Sequence, residues 1–508
     1  MSESCGNPTV ESEALMPKKI RFDRSTTCVK CKEQRGCLVI RHAVYCKDCF
    51  SALLPTRFRK ALEPHINHAP DGPRRRALRP AGNLLLGVSG GLGSAVLLDV
   101  VHRTYTTRAV ACDGVKGGRE HPRGQKVWST IRAAYVEVAG AFPGMKDRTE
   151  EVGEAVKRYE GIEFVPLRLE AAFDPAWWAR VGQTSTADVS VDLNAEGTSL
   201  LADSPSASTP LDSLRNYLGR LPTPTAVQVA IAKLIRVLLL YTAHATSSSH
   251  VLLGTSLTSL SISLISSISQ GGGFNVPQTM YEEWFPPGAE RATESWRGEV
   301  RVIRPLRDVG TKECAAWAWW HALVVVGKER RPAAAQTIDG LTRDFIVGLE
   351  KDFPSTVSAI SKTVGKLAPK GGTCGRCILC ELPVQTDAHE WRARISIRTR
   401  STQSDVPATL ASSVALAPLF CYACHTTLTS RSSRSVAPTK ASAPPPPPIV
   451  QLPVWAAAAL SRLYSDTATE AEEIRTGGDR NVGEEVWKTR KLGEDEMRAA
   501  VGEFLFDT

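Results

Sequence analysis

The sequence predicts an α/β fold with a largely parallel sheet, flanked at each end by a cysteine-rich module. Three observations carry that expectation. Between about residues 81 and 365, short apolar runs alternate with stretches of helical periodicity. Paired cysteines bracket that region: Cys28-x-x-Cys31 and Cys46-x-x-Cys49 before it, Cys374-x-x-Cys377 and Cys421-x-x-Cys424 after it. Near the start of the region an apolar run, Asn83–Val88, leads into Ser89-Gly90-Gly91-Leu92-Gly93-Ser94 and then into a helical pattern.

The strand candidates are Leu84–Val88, Ala134–Val138, Glu163–Leu167, Val251–Leu253 and Val300–Ile303. A helix is expected over Thr225–Tyr241, where Val227, Ile231, Leu234, Ile235 and Leu238 recur at helical spacing, and another over Lys312–Leu323. Gln183–Pro210, rich in Ser, Thr, Ala and Asp, reads as an insertion loop. Thr426–Pro448 is low-complexity and ends in a proline run, which favours extended chain. The expected organisation is a disordered segment over 1–24, a zinc module over 25–55 and a basic linker over 56–80. The α/β domain follows over 81–365, then a second zinc module over 370–465 with its insert at 426–448, and a charged tail over 466–508.

Composition narrows the class without naming a function. A net charge of +9 leans toward a polyanionic partner, but spread over 508 residues it decides little. The N-terminal stretch has no apolar core behind basic residues, so no signal peptide is read. No apolar run free of polar side chains reaches the roughly 20 residues of a bilayer span. The expectation is a cytoplasmic protein with no membrane partner.

Thirteen cysteines would suggest disulfides in a short secreted chain, but not in one of 508 residues without a signal peptide. Cys28, Cys31, Cys46 and Cys49 form two knuckles 14 residues apart, the spacing of a four-thiolate zinc site. Cys374, Cys377, Cys421 and Cys424 form the second expected zinc set, with Cys380 left open as a competing ligand. Cys37, His42 and His425 read as bystanders, and Cys5, Cys112 and Cys314 as plain thiols. Between the first module and the Gly-rich turn lie Arg57, Arg59, Lys60, Arg74, Arg75, Arg76 and Arg79. They form either a solvated linker or a contact to a nucleic-acid backbone.

Strand, Gly-rich turn and helix start together make an anion site, because free N–H groups and the helix dipole converge there. The expected cradle is Ser89, Gly90, Gly91 and Ser94, with a helix beginning at Ser94. The spacing fits neither Walker A nor GxGxxG. It resembles the PP-loop, SGGxDS, of ATP pyrophosphatases, which implies an adenine nucleotide alpha-hydrolase-like fold. Where those enzymes usually carry Lys and Asp, this chain has Leu92 and Gly93, so the groups that neutralise phosphate and hold its metal are gone. ATP binding is thereby put in doubt. On this reading Leu92→Lys with Gly93→Asp would restore the missing contacts.

Two further segments follow the same pattern of frame without chemistry. His250–Gln270 resembles an LGHxxDDxxET segment, but Thr255, Ser256, Thr258 and Ser259 stand where the His and carboxylates would be. A core helix with a Ser or Thr cap accounts for it fully. Ile303-Arg304-Pro305-Leu306 resembles the RPL segment of the same enzymes. Cys314, placed in a helix, makes a poor sulfur carrier.

Together the N-terminal knuckles ending in Cys-Lys-Asp-Cys-Phe, the degenerate loop, LLGTSLTSLSISLISSISQGGGF, IRPLRD and the C-terminal knuckles resemble the cytoplasmic tRNA 2-thiolation protein 2 family, over about residues 25–465. The resemblance implies a non-catalytic partner of the catalytic tRNA 2-thiolation protein 1. The reaction implied is 2-thiolation of the wobble uridine in tRNAs for lysine, glutamate and glutamine, with sulfur from a thiocarboxylated ubiquitin-related modifier. Two alternatives stay open at this point. One is an active tRNA-modifying adenylase with Asp99 or Asp113 as metal ligand. The other is a zinc-module interaction protein that does not touch tRNA.

Overall fold

The structure is a computed structural model. It describes residues 27–66, 82–106, 127–182, 190–192, 199–201, 209–280, 282–287, 299–327, 334–364, 366–367, 373–386, 417–429 and 449–462. The chain forms two compact units, Met1–Ser461 and Arg462–Thr508, and the elements below belong to the first. The expectations for 1–24, Arg74, Arg75, Arg76, Arg79, Cys5, Cys112, Asp113, most of the 426–448 insert and the 466–508 tail fall outside the described residues.

Strands β1 (Leu38–Ile40) and β2 (Ala43–Tyr45) form a hairpin that leads into helix α1 (Lys47–Ile66). The central sheet holds β3 (Asn83–Val88), β4 (Ile131–Glu137), β5 (Ile162–Arg168), β8 (Ser248–Leu253), β9 (Glu282–Trp284) and β10 (Val300–Ile303) in the order β5-β4-β3-β8-β10-β9. All neighbours pair in parallel except β9 on β10. All five sequence-read strands are in this sheet. A smaller sheet joins β6 (Ser190–Asp192), β7 (Ser199–Leu201) and β13 (Ile449–Gln451), so the stretch read as an insertion loop contributes two short strands.

The longer helices after α1 are α2 (Leu92–Val101), α3 (Thr149–Lys157), α4 (Pro210–Arg220), α5 (Pro224–Ala245), α6 (Leu257–Ser269), α7 (Thr311–Trp320), α8 (Ile338–Asp352), α9 (Pro354–Val364) and α10 (Tyr422–Thr429). By length and composition α5 could cross a membrane, which the sequence reading did not anticipate. Instead Ile231, Leu234, Val237, Leu238 and Tyr241 bury it as a core helix. Thr223 caps it, its hydroxyl accepting from the Ala226 N–H, and Pro224 supplies the preset φ of a first turn.

Alternation along the strands splits the core in two. Leu84, Leu86 and Val88 face α1, α2, α3 and α7, whereas Leu85 faces α4, α5 and the C-terminal cysteines. A parallel sheet is buried on both faces, and this one obeys that rule.

Helix α1 crosses the expected boundary between zinc module and linker at 55/56. Pro55 and Pro64 lie inside it and each removes one N–H from the helical ladder. The helix holds because Phe50, Leu54, Phe58, Leu62 and Ile66, spaced by four, form one buried stripe. Phe50 packs edge-on to Trp320 at 5.5 Å and to Trp317 at 6.3 Å. The N-terminal module is therefore fastened to the α/β core through its own helix.

Chain order places the Gly-rich turn at a special point of the sheet. From β3 the chain moves outward through β4 and β5, then returns to the other side of β3 for β8 and β10. The turn after β3 thus lies at the switch point, where α/β sheets open a crevice beyond their strand ends.

Candidate metal centres and the Gly-rich loop

Two groups of four thiols converge among the described residues. Cys28, Cys31, Cys46 and Cys49 form the first, with all four sulfur atoms within 4.8 Å of one another. The β1–β2 hairpin and the first turn of α1 bring the two knuckles together: Val29 N–H donates to Val44 O at 2.9 Å, and Cys28 N–H to Gln34 O at 2.8 Å. Cys31 Sγ and Cys46 Sγ are 3.8 Å apart. A tetrahedron with metal–sulfur bonds of about 2.3 Å has edges of about 3.8 Å, so the spacing suits one tetrahedral ion. It is far too long for a disulfide, whose sulfurs lie about 2.05 Å apart.

The second group consists of Cys377, Cys380, Cys421 and Cys424, all buried and again within 4.8 Å of one another. Cys380 Sγ lies 3.6 Å from Cys421 Sγ. Among the described residues the fourth thiol of this group is Cys380, which the sequence left open as a competing ligand beside Cys374. The side chain of Cys374 is outside the described residues, and its backbone lies in strand β11 (Thr373–Arg376), paired with β12 (Pro383–Gln385). Four thiolates already close a tetrahedral site, which leaves no position for a fifth. The Glu381 N–H donates to Cys377 O at 2.7 Å and the Cys377 N–H to Leu382 O at 2.9 Å, a tight turn that aims Cys377 and Cys380 to one point.

Neither group can ionise fully without a cation. In the first, burial opposes the Cys28 charge, yet backbone N–H groups of Cys31, Cys46 and Lys30 bring that thiol down to about 6. Burial and its neighbours push Cys49 up to about 12. In the second group burial and neighbouring thiols drive Cys377 up, whereas Cys424 is held well below the thiol range despite burial, by its three sister thiols and Lys233. Like charges this close do not share a site unless a metal compensates them.

Sequence reasoning missed the groups that serve this second centre. Burial disfavours the Lys233 ammonium, but the thiolates of Cys424, Cys421 and Cys380 keep it charged. Arg236 donates to the Cys380 carbonyl and pairs with Glu282. Glu381, in the left-handed region at φ 54, accepts from Tyr241 Oη at 2.6 Å and from Trp284 Nε1. Trp455 Nε1 donates to Leu379 O at 3.2 Å. The signal was present in α5, where Lys233 and Arg236 interrupt an apolar helix three residues apart.

The Gly-rich turn has the expected frame. Helix α2 begins at Leu92, two residues before the expected Ser94, with Gly91 as N-cap and no capping side chain. Ser94 Oγ donates to Gly91 O at 2.8 Å, so its hydroxyl serves the turn itself. What fills the rest of the cradle is protein. A Cβ on Gly93 would lie 2.0 Å from Gly254 O, and one on Gly254 would lie 2.4 Å from Gly93 O. The expected refilling by Gly93→Asp is therefore corrected: the position is occupied by the backbone that follows β8.

A second element covers the loop. Gly90 has φ +72, and a Cβ there would meet Gly327 O at 3.1 Å. Gly327 N–H donates to Gly90 O at 2.9 Å, and Arg148 Nη1 donates to Val326 O at 2.9 Å. Arg148 is fixed in turn by its N–H to Glu137 Oε2 at 3.0 Å. The space left between Gly90, Ser94, Val152, Val324 and Val326 is about 20 Å³. That is room for little more than a water, whereas small-ligand sites run to about 300 Å³ or more. Ser89 sits at the edge of this covered turn.

The remaining site candidates separate clearly. Asp99 is buried, accepts both oxygens' worth of bonding from Arg103 Nε at 2.8 and 2.9 Å, and receives Trp317 Nε1 at 2.8 Å, so it is a structural carboxylate. Burial pushes the Cys314 thiol up to about 12, away from nucleophilic use. Thr258 Oγ1 donates to Glu350 Oε2 at 2.8 Å, and Ser256 caps α6 through the Ser259 N–H at 3.3 Å, as a core helix requires. Arg57 pairs with Glu313 at 2.8 Å and so bonds α1 to α7. Arg59 Nε turns back to Pro55 O, and Lys60 is exposed.

The comparisons agree on the family. The family model described as cytoplasmic tRNA 2-thiolation protein 2 matches residues 337–426, the stretch that contains all four thiols of the second centre. The Xenopus tropicalis protein of that name is 28% identical over 405 residues, covering 72% of this chain and 74% of the relative. Over roughly three quarters of its length this chain is similar to proteins named cytoplasmic tRNA 2-thiolation protein 2. The Homo sapiens member is 26% identical over 462 residues, 80% of this chain and 82% of its own, and the Phaeosphaeria nodorum member is 26% identical over 378 residues, 71% and 85%. Among solved structures, the U34-tRNA thiolase NcsA of Methanococcus maripaludis with its [4Fe-4S] cluster aligns over 69% of this chain and 92% of its own, at 15% identity and a TM-score of 0.40.

Two outcomes follow from this geometry. Cys380→Ser should lose one of two bound metal ions by elemental analysis, while Cys374→Ser keeps both; the reverse result would restore the discarded ligand. Gly93→Ala should cost about 3 kcal/mol in urea unfolding, because the helix must move off the β8 backbone. An unchanged midpoint would mean that the contact is slack.

Proposed function

We propose that this chain is the non-catalytic subunit of a cytoplasmic tRNA thiolase and supplies surface and frame to 2-thiolation of the wobble uridine. The observation that carries this reading is the covered loop. Its phosphate position is closed by Gly254 on one side and by Val324–Gly327 on the other, and neither Lys nor Asp stands in it. The tRNAs would be those for lysine, glutamate and glutamine. The catalytic partner would be cytoplasmic tRNA 2-thiolation protein 1, and the sulfur donor a thiocarboxylated ubiquitin-related modifier. Both thiol groups would hold zinc, since each offers four thiolates to one ion, the usual closed structural site.

An active adenylase is disfavoured because Asp99 is consumed by Arg103 and Trp317, and a nucleotide has no room at the loop. The tRNA-facing surface in this reading is Lys60 with Arg59, continued by Arg74, Arg75, Arg76 and Arg79. Such contacts position a substrate through phosphate without reading sequence.

Reconstitution with the catalytic subunit, tRNA, ATP and sulfur donor tests the central claim, with 2-thiouridine read by mass spectrometry. A Ser89→Ala, Ser94→Ala double variant should keep most of the thiolation. Loss of the product from a folded, partner-bound variant would make the loop catalytic and end this reading. Neutralising Arg74, Arg75 and Arg76 should weaken tRNA binding and flatten the dependence of log K on log salt by up to about three units, near one per lost phosphate contact. An unchanged slope would remove the connector from the tRNA surface.

A further inference from the structure

A cavity of about 460 Å³ lies between α5, α6 and the ends of β8 and β10, beside the second thiol centre. No residue of the Gly-rich loop lines it. Its volume falls within the range of small-molecule sites. Most of its wall is apolar, from residues such as Ile235, Leu239, Val251 and Val302, and hydroxyls and amides of α5 and α6 punctuate that wall.

The charges in the wall are compensated with one exception. Arg236 is paired with Glu282, and Lys233 serves the thiolates. Arg304 lines the cavity beyond β10 and makes no side-chain hydrogen bond or ion pair among the described residues; its Nη1 is buried without an acceptor. Burial lowers its proton affinity from the ordinary guanidinium range; Glu282 nearby favours its charge, but that carboxylate is already paired with Arg236, whose own charge opposes it. Asn275 also lines the cavity, with its Oδ1 buried and lacking a donor. A buried guanidinium nitrogen without an acceptor and a buried carbonyl without a donor are each costly, and two on residues that line one cavity call for a common explanation.

We propose that this cavity binds a nucleoside monophosphate, its phosphate on Arg304 and a base or sugar donor on Asn275. A ligand that satisfies both orphans must carry an anionic acceptor at one point and an N–H or O–H donor at another. A planar guanidinium is suited to a phosphate, and the apolar wall to the faces of a base. One uncompensated cation disfavours a triphosphate, whose extra charge would be buried unpaired. This site is separate from the loop and does not depend on the thiolation reading.

The test is calorimetric titration of the metal-loaded full chain with AMP, UMP, ATP, adenosine, uridine and inorganic phosphate. At least one monophosphate should bind below about 1 mM, with its nucleoside, phosphate alone and ATP at least tenfold weaker. A 5′-phosphorylated trinucleotide then separates the sources, because it competes only if the site takes the end of an RNA strand. Arg304→Met should weaken monophosphate binding at least tenfold, yet leave the ligand-free melting temperature equal or higher, since it removes an unpaired buried charge. Arg304→Lys, which keeps the charge and loses the fork, should bind severalfold more weakly than wild type. No monophosphate binding at 10 mM, unchanged affinity in either variant, or a lower ligand-free melting temperature in Arg304→Met would each overturn the proposal.

Discussion

The contact between Gly93 and Gly254 sets the geometry of the rest of the molecule. It brings the first turn of α2 onto the backbone beyond β8 with no side chain between them, and so fixes β3, α2 and β8 as one block. That block is the switch point of the sheet, and the chain passes outward from it in both directions. The same closeness removes the volume in which a carboxylate and a metal would operate. Tight packing and lost chemistry are here a single fact: the backbone carbonyl that steadies the helix stands where a side chain would have to be. The strap at Val324–Gly327 then shields the turn from the other direction, anchored through Arg148 to the end of β4.

The two thiol groups sit on opposite faces of that sheet and do different work. The first orders a hairpin and the start of α1, and α1 brings its Phe and Leu stripe against the tryptophans of α7. The second lies inside the other core, among the aromatic side chains of Trp178, Tyr241, Trp284 and Trp455. A metal ion with four thiolates would carry net negative charge, and a half-buried lysine from α5 lies against those thiols. A small module on a linker would leave that charge to water.

Much of the frame was legible in the sequence, because strand and helix periodicities are local. Five of the six central strands, all but β9, and both named helices lie where the apolar patterns put them, and the loop between β3 and α2 is where glycine spacing put it. What could not be read is non-local. The expected boundary at 55/56 cuts helix α1, whose passage through Pro55 depends on partners over 250 residues away, Trp317 and Trp320. Cys380 could not be preferred to Cys374 by spacing alone, since both leave a two-residue gap to Cys377; the turn at Glu381 decides it. Nothing local to Arg57 announces its ion pair with Glu313. Nothing in Leu92 and Gly93 announces that Gly254 and Val326 fill the space they leave.

The interleaving of the core also constrains how the chain is made. Leu85, near the first strand of the sheet, and Trp455 and Leu460, near the end of the described chain, belong to one buried cluster. Trp455 rests on Trp178 with ring centres 5.1 Å apart. Contacts of such sequence separation form late and slowly, because the loop-closure entropy precedes any gain from the contact. During synthesis the α5 face of the sheet stays uncovered until residues beyond 450 have left the ribosome, and its leucines and tryptophans are open to wrong partners for that interval. A chain cut short before residue 449 would expose that surface permanently, so cells would be expected to treat it as misfolded even though every strand of its central sheet is present.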